Sequence, residues 1–372
     1  MPTHGAGTPL DQVSISPVSD IAADGRSIVV DTDDPTHVGC VADLIAGELV
    51  WCQIVGLLGT VGGNQPIGHD RIAWAPSLDR AALSPGANAD LSILDLDAME
   101  ALNIHDDGGW DSAVDNLGDF PTDHTPIWLD DSSIAVVQSF EGNRWLLVID
   151  AATGDEHKRV PLWGAGDRFN AFAPIIGDGR GGVLLSFGQM IWRVDLDSEA
   201  VEFVVDYAFD YAEEIGSSIV GDLEPIVVLA DGRLLVSSPL VRGELASGQA
   251  EPSNSFMFVL DTESGELTPV FDTTNPTIGP GEVWLSPDGA HLILSWADPA
   301  QRTPNGTPQR QLVRVPTKTI FPIDPREVES VDVPVGGIGP EYEPIVHGVR
   351  RWTEDGTIGV KLGGTLVLVD VR

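Results

Sequence analysis

The chain has 372 residues, with 57 Asp and Glu against 20 Lys and Arg, a formal net charge of −37. A surface this negative repels phosphate backbones and anionic lipid, which argues against nucleic acid and membrane surfaces as partners and favours cations and basic proteins. Gly (41) and Pro (27) are too frequent for a helical bundle and too sparse for a disordered polymer, so the composition fits many short strands joined by turns.

In chain order, the start "MPTHGAGTPLDQ" has neither a basic segment nor an apolar run, so no leader is read there. The protein is then either cytoplasmic or a chain whose leader has been removed, in which case it is periplasmic or at the cell surface. "DQVSIS" (11–16) is a lone alternating strand with Val13 and Ile15 on one face. Cys40 and Cys52 lie outside any zinc-ligand spacing, and either bridge neighbouring strands or remain buried thiols. The apolar stretch 42–63 is interrupted by Glu48, Gln53 and several glycines, and reads as two buried strands rather than a membrane span.

From residue 16 onward one phrase recurs. A Pro-led apolar step appears at 16–19, 65–68, 125–128, 173–176, 224–227 and 343–346. A turn follows, most often Asp-Gly, where Gly takes positive φ without steric cost. The turn aspartates are Asp24, Asp79, Asp131, Asp178, Asp231, Asp288 and Asp355, and each precedes an apolar strand such as "RLLVSS" or "HLILSW". Most units continue with a second hairpin, as in "WLLVIDAATGDEHKRV" (145–160) and "FMFVLDTESGELTPVF" (256–271). One unit thus carries four strands. The intervals of 47 to 67 residues between turn aspartates are long for a blade of about 40–45 residues but of the right kind.

The expected fold is all-β: a single domain forming a seven-bladed β-propeller of four-stranded blades. The blades are placed at 17–69, 70–121, 122–168, 169–218, 219–276, 277–340 and 341–372, with 10–16 completing the last. "GTLVLVDVR" ends the chain as a third strand, and the strand at 11–16 is expected to supply the missing fourth and close the ring.

The repeats resemble those of TolB-like and WD-repeat-like bacterial propellers, in which a Ser-Pro-Asp-Gly turn precedes an apolar strand; the best copy is "GPGEVWLSPDGAHLILSW" (279–296). The likeness extends over all seven units at the level of the motif. The Trp-Asp pair of true WD repeats is absent, its place taken by "LDLD", "LVID", "RVDL" and "FVLD". The resemblance implies blades used for binding.

Site candidates stand where chain enters each Pro-led strand, at the expected channel rim. These are Asp123, His124, Asp222, Glu224, Glu341 and Glu343. At the first and third positions before the six Pro steps, five of twelve residues are acidic, against about two expected from the overall composition. Converging carboxylates of this kind make an oxygen cage for a hard cation such as Ca²⁺, with Asp222, Glu224 and Glu343 as ligands, or simply a solvated acidic rim. Trp110 stands alone in the acidic stretch 105–119 and is a candidate anchor for a partner or sugar; other tryptophans, such as Trp74 and Trp284, sit in strands and fill space between blades. The acidic loops 31–35 and 105–119 lack EF-hand spacing, and Asn305 opens a glycosylation sequon. No nucleophile elbow, zinc-protease helix or phosphate-binding loop is present in the sequence. The expected function is therefore a monomeric, non-enzymatic propeller, needing no cofactor, that binds a protein or small polar ligand. The alternative is a lactonase-like hydrolase or lyase in which a Ca²⁺-type metal at Asp222, Glu224 and Glu343 polarises a carbonyl or activates water.

Overall fold

The computed structural model describes residues 4–13, 15–17, 26–31, 39–52, 72–77, 79–83, 91–98, 100–104, 122–123, 126–140, 143–163, 175–187, 190–206, 219–220, 224–241, 254–271, 283–302, 308–324, 326–331, 349–352, 356–362 and 365–371. They divide into two compact units, Met1–Asn170 and Ala171–Arg372.

The first unit holds three antiparallel sheets. The first is β1 (Ile15–Pro17), β2 (Arg26–Asp31), β3 (Gly39–Asp43) and β4 (Glu48–Cys52), in sequence order. The second is β5 (Ile72–Trp74), β6 (Arg80–Leu83), β7 (Leu91–Asp95) and β8 (Glu100–Ile104). The third runs β10-β11-β12-β13, with β9 also on β11; its strands are β9 (Thr122–Asp123), β10 (Ile127–Trp128), β11 (Ser133–Phe140), β12 (Asn143–Asp150) and β13 (Glu156–Trp163).

The second unit holds three more. The fourth sheet is β14 (Ile175–Gly177), β15 (Gly182–Phe187), β16 (Met190–Asp195) and β17 (Val201–Asp206). The fifth has β18 (Ile219–Val220) and β19 (Glu224–Val228) both on β20 (Leu234–Val241), followed by β21 (Asn254–Leu260) and β22 (Leu267–Pro269). The sixth contains β23 (Val283–Leu285), β24 (His291–Arg302), β25 (Pro308–Pro316), β26 (Glu329–Val331) and β27 (Val349–Arg351). A hairpin of β28 (Thr357–Leu362) and β29 (Thr365–Asp370) ends the chain.

The expectation of seven four-stranded blades is therefore corrected to six, with a two-stranded hairpin beyond them. The cause is a change of partner in the last unit. Its first described strand, β27, does not pair in a sheet with β28; it adds in parallel to β23, with Trp284 opposite Arg350. Only an isolated bridge, Trp352 to Ile358, links it to the hairpin. The expected ring closure is corrected as well. Ile15–Pro17 pairs antiparallel with Val29–Asp31 inside the first sheet and is not the outer strand of a last blade.

Near-continuous apolar runs form these strands because both faces of a sheet are buried, so inward and outward positions are equally apolar. In β20, Leu234 and Val236 pack on the fourth sheet with Leu184 and Ile191, while Leu235 between them packs on the sixth with Val283 and Leu294. In β24, Leu292 and Leu294 face the fifth sheet and Ile293 joins Trp352, Ile358 and Val369 of the terminal segment. In the first unit Ile28 and Val41 meet Ile72, Trp74 and Leu94 of the second sheet, and Ala82 and Ile93 meet Ile134 of the third. Each such buried Leu, Ile or Val contributes about 1.5–3 kcal/mol.

Cys40 and Cys52 stand directly opposite each other on β3 and β4, with Cα atoms 4.1 Å apart, and form a disulfide. Among the described residues no helix is long and apolar enough to cross a membrane.

Candidate functional site

Every antiparallel sheet has two ends, and here they are built differently. The turns between first and second strands and between third and fourth strands share one end, the turn end. The connections between second and third strands, and the segments leading to the next sheet, leave from the other, the linker end.

Among the described residues the turn end carries mostly short, self-bonded turns. After the third strand of each of the first five sheets an Asp accepts hydrogen bonds from the backbone that follows it. In the sixth, Thr317 follows β25 and the connection to β26 is longer. Asp43 Oδ1 accepts from Ile45 and Ala46 N–H at 2.9 and 2.7 Å, and Asp95 from Asp97 and Ala98 at 3.0 and 2.7 Å. Asp150 accepts from Ala152 and Thr153, both at 2.8 Å, and Asp261 from Glu263 and Ser264 at 2.8 and 3.0 Å. Four residues after the Asp the backbone turns left-handed, at Gly47, Gly154 and Gly265, and at Glu199, whose φ of 60° is unusual for a side chain with a Cβ.

At several turns such bonds favour the ionised carboxylate and hold its pKa below the ordinary 3.8. The backbone N–H of Thr153 and then Ala152 lower Asp150, that of Ser198 lowers Asp195, and those of Ser264 and Glu263 lower Asp261. In the first turns the Ser132 hydroxyl and N–H lower Asp130, and the Ser286 hydroxyl followed by the Ala290 N–H lowers Asp288. Burial pushes Asp231 up, but the bonds from Arg233 outweigh it and the net shift is also downward.

Arginines at these turns stitch neighbouring sheets together within each unit. Arg80 Nη2 donates to the Asp131 carbonyl and its guanidinium lies 5.4 Å over the Trp128 ring. Arg233 Nη2 donates to the carbonyls of Thr317 and Thr319 at 3.4 and 3.3 Å. Arg180 lies against Gly232 so closely that a Cβ there would collide with its guanidinium. The sequence signal for this role was the Asp-Gly-Arg triplet at 178–180 and 231–233, which reading for turns alone passes over.

Two of the rim candidates, Asp123 and Glu224, lie at the linker end. Asp123 is the last residue of β9, opposite Gln138, and Glu224 is the first of β19, opposite Ser237. Both sit beside the same irregularity. From Asp123 to Ile127 the chain takes four steps while its partner takes three, from Gln138 to Ala135. From Val220 to Glu224 it again takes four steps against three, from Leu240 to Ser237. An extra residue of this kind bends a strand and re-aims side chains, and is common beside binding sites. His124, Asp222, Glu341, Glu343 and Trp110 lie outside the described residues, as do the stretch 105–119 and Asn305. Among the described residues no three His, Cys, Asp or Glu side chains gather as a metal site.

Of solved structures, the β-propeller domain of Cps50 (Swd1) from Myceliophteria thermophila is similar at 10% identity, covering 100% of this chain and 99% of that one, with a TM-score of 0.52. An oligogalacturonate lyase in complex with manganese matches at 15% identity over 100% of this chain and 96% of that one, with a TM-score of 0.55. TolB from Acinetobacter baumannii covers 82% of this chain and 60% of its own at 16% identity, with a TM-score of 0.40. The fold is a β-propeller. No family model and no curated protein sequence matches the chain.

Proposed function

We propose that the chain is a binding propeller that takes a neutral or cationic ligand, or a protein partner, at the linker end of its sheets. One observation supports this reading. Turn carboxylates such as Asp150, Asp178 and Asp261 are bonded into their own turns, whereas at the linker end the strand register beside Asp123 and Glu224 carries an extra residue of the kind common beside binding sites. The charge of −37 supports a neutral or cationic ligand by Coulomb repulsion of anions. The disulfide supports an oxidising, extracytoplasmic compartment. In this reading the protein works as a monomer and needs no cofactor.

The full-length likeness to a manganese-bound oligogalacturonate lyase supports a second reading. In it Asp222, Glu224 and Glu343 would hold a divalent cation, which would supply Lewis-acid polarisation of a substrate carbonyl or activation of water. Its difficulty is that an oligogalacturonate is a polyanion approaching a strongly anionic chain. Calorimetric titration with Ca²⁺ and Mn²⁺, melts with and without chelator, and an absorbance assay for unsaturated oligogalacturonate products separate the two. Metal-dependent turnover that disappears in Glu224→Gln would overturn the binding reading. Absence of turnover, with no chelator-sensitive stabilisation of the kind that linkage requires, would overturn the lyase.

A further inference from the structure

We propose that residues 5–13 are a strap that gates reduction of the Cys40–Cys52 disulfide, and that the disulfide in turn holds the strand on which the strap docks. The strap first runs as an extra edge strand on β4. Gly7 N–H donates to the Leu49 carbonyl at 2.7 Å, Leu49 N–H returns to the Thr8 carbonyl at 2.9 Å, and Leu10 N–H donates to the Gly47 carbonyl at 2.9 Å. Pro9 and Glu48 form the antiparallel bridge between them. A single 3-10 turn, Leu10–Gln12, then carries the chain away, and it re-enters the same sheet as β1 at the opposite edge. In crossing, it covers the face turned away from the second sheet. Val13, 8% exposed, lies in one apolar cluster with Val29, Ala42, Leu49 and both cysteines, and Leu10 packs against it.

The covered bond cross-links β3 and β4 at the ends opposite their connecting turn, and it is sheltered: Cys40 is 0% and Cys52 7% exposed. Reduction requires a thiolate to reach one sulfur. A dithiol reductant attacks it to give a mixed disulfide and releases the other cysteine as thiolate. The second thiol of the reductant then closes its own disulfide, leaving two protein thiols and an oxidised reductant. With the strap docked the first attack has no path; with the strap lifted it has one. Coupling must also run in reverse. The disulfide pins β4, and β4 carries the carbonyl and N–H groups to which the strap bonds, so reduction loosens the strap.

Two measurements on the full chain test this. The first is pulsed alkylation during treatment with dithiothreitol under native conditions. Val13→Asp and the milder Leu10→Ser are expected to release thiols about tenfold faster than the unaltered chain. Leu235→Ala, which loosens the fifth sheet, is expected to leave the rate unchanged. The second is amide hydrogen exchange. Reduction, or Cys40→Ser with Cys52→Ser, is expected to speed exchange at Gly7, Leu10 and Leu49 and to leave Leu294 protected. Equal reduction rates in the strap variants, equal exchange at Leu10 and Leu49 in both redox states, or two free thiols in protein purified from an oxidising compartment would each overturn the proposal.

Discussion

The two ends of each sheet have the same strands and opposite construction. At the turn end a handful of aspartates satisfy nearby backbone donors, glycines take the left-handed positions, and arginines reach the neighbouring sheet. At the linker end the first strands of the third and fifth sheets each carry an extra residue, and the longest connections leave from it. The difference separates two uses of acidity that look alike in composition. Turn carboxylates such as Asp150, Asp178 and Asp261 are bonded into the fold, whereas Asp123 and Glu224 stand in strands at the other end.

The broadest way to break the comparison is acid. Asp130, Asp150, Asp195, Asp231, Asp261 and Asp288 have folded-state pKa values below their unfolded value, so their contribution is complete above the unfolded pKa and is lost as pH falls through the folded one. Stability is expected to be flat down to about pH 4 and to fall progressively below it. A scan of melting temperature against pH checks this. A loss that begins near pH 6 would mean that groups other than these carboxylates control stability.

Next in size is Asp178→Ala. This side chain, 5% exposed, accepts from the backbone of Arg180 and Gly182 at 2.7 and 2.8 Å and from Arg193 Nε at 2.7 Å. Removing it takes the acceptor from two backbone donors and from Arg193 Nε at once, leaving the guanidinium only its longer pairs with Asp195 at 3.5 Å and Glu202 at 3.9 Å. A loss of about 2–4 kcal/mol is expected in urea unfolding. A loss within experimental error would show that the turn end tolerates what this reading says it cannot.

The turn end was legible because its instructions are local. Asp followed four residues later by Gly, or Asp-Gly-Arg, fixes hydrogen bonds within a few residues, so the phrase reads directly as structure. The sheet count was not, because pairing is decided by tertiary partners. The "EPIV" at 343–346 is identical to the "EPIV" at 224–227, and the second heads β19 as expected. The strand downstream of the first, β27, instead adds to β23, and no residue in the phrase records that choice. The same holds at the start of the chain. The alternation of Val13 and Ile15 reads as one strand over 11–16, but Leu10–Gln12 forms a 3-10 turn and the strand is Ile15–Pro17; nor does the pattern say which sheet receives it. Of the site, acidity before the Pro step could be read, whereas the extra residue beside Asp123 and Glu224 emerges only once the register is known.

A smaller effect, of opposite sign, sits at Glu199. It occupies the left-handed position that glycine fills in the equivalent turns at 47, 154 and 265, with φ of 60°. Glu199→Gly relieves the Cβ strain and gives back part of the gain as unfolded-state entropy, for a net stabilisation of about 0.5–1 kcal/mol. Destabilisation in urea would mean that the glutamate side chain makes a contact worth more than the strain.

The smallest effect on stability sharpens the comparison most. Asp123→Asn and Glu224→Gln keep size and strand propensity and remove one charge each. If the linker end is reserved for binding, unfolding free energies should move by no more than about 0.5 kcal/mol. The same changes should weaken whatever the protein binds there, read by titration with Ca²⁺ or Mn²⁺ where a cation is held. Losses comparable to that of Asp178→Ala would show that these carboxylates are spent on the fold like those at the turns, and the two ends would then differ only in the length of their loops.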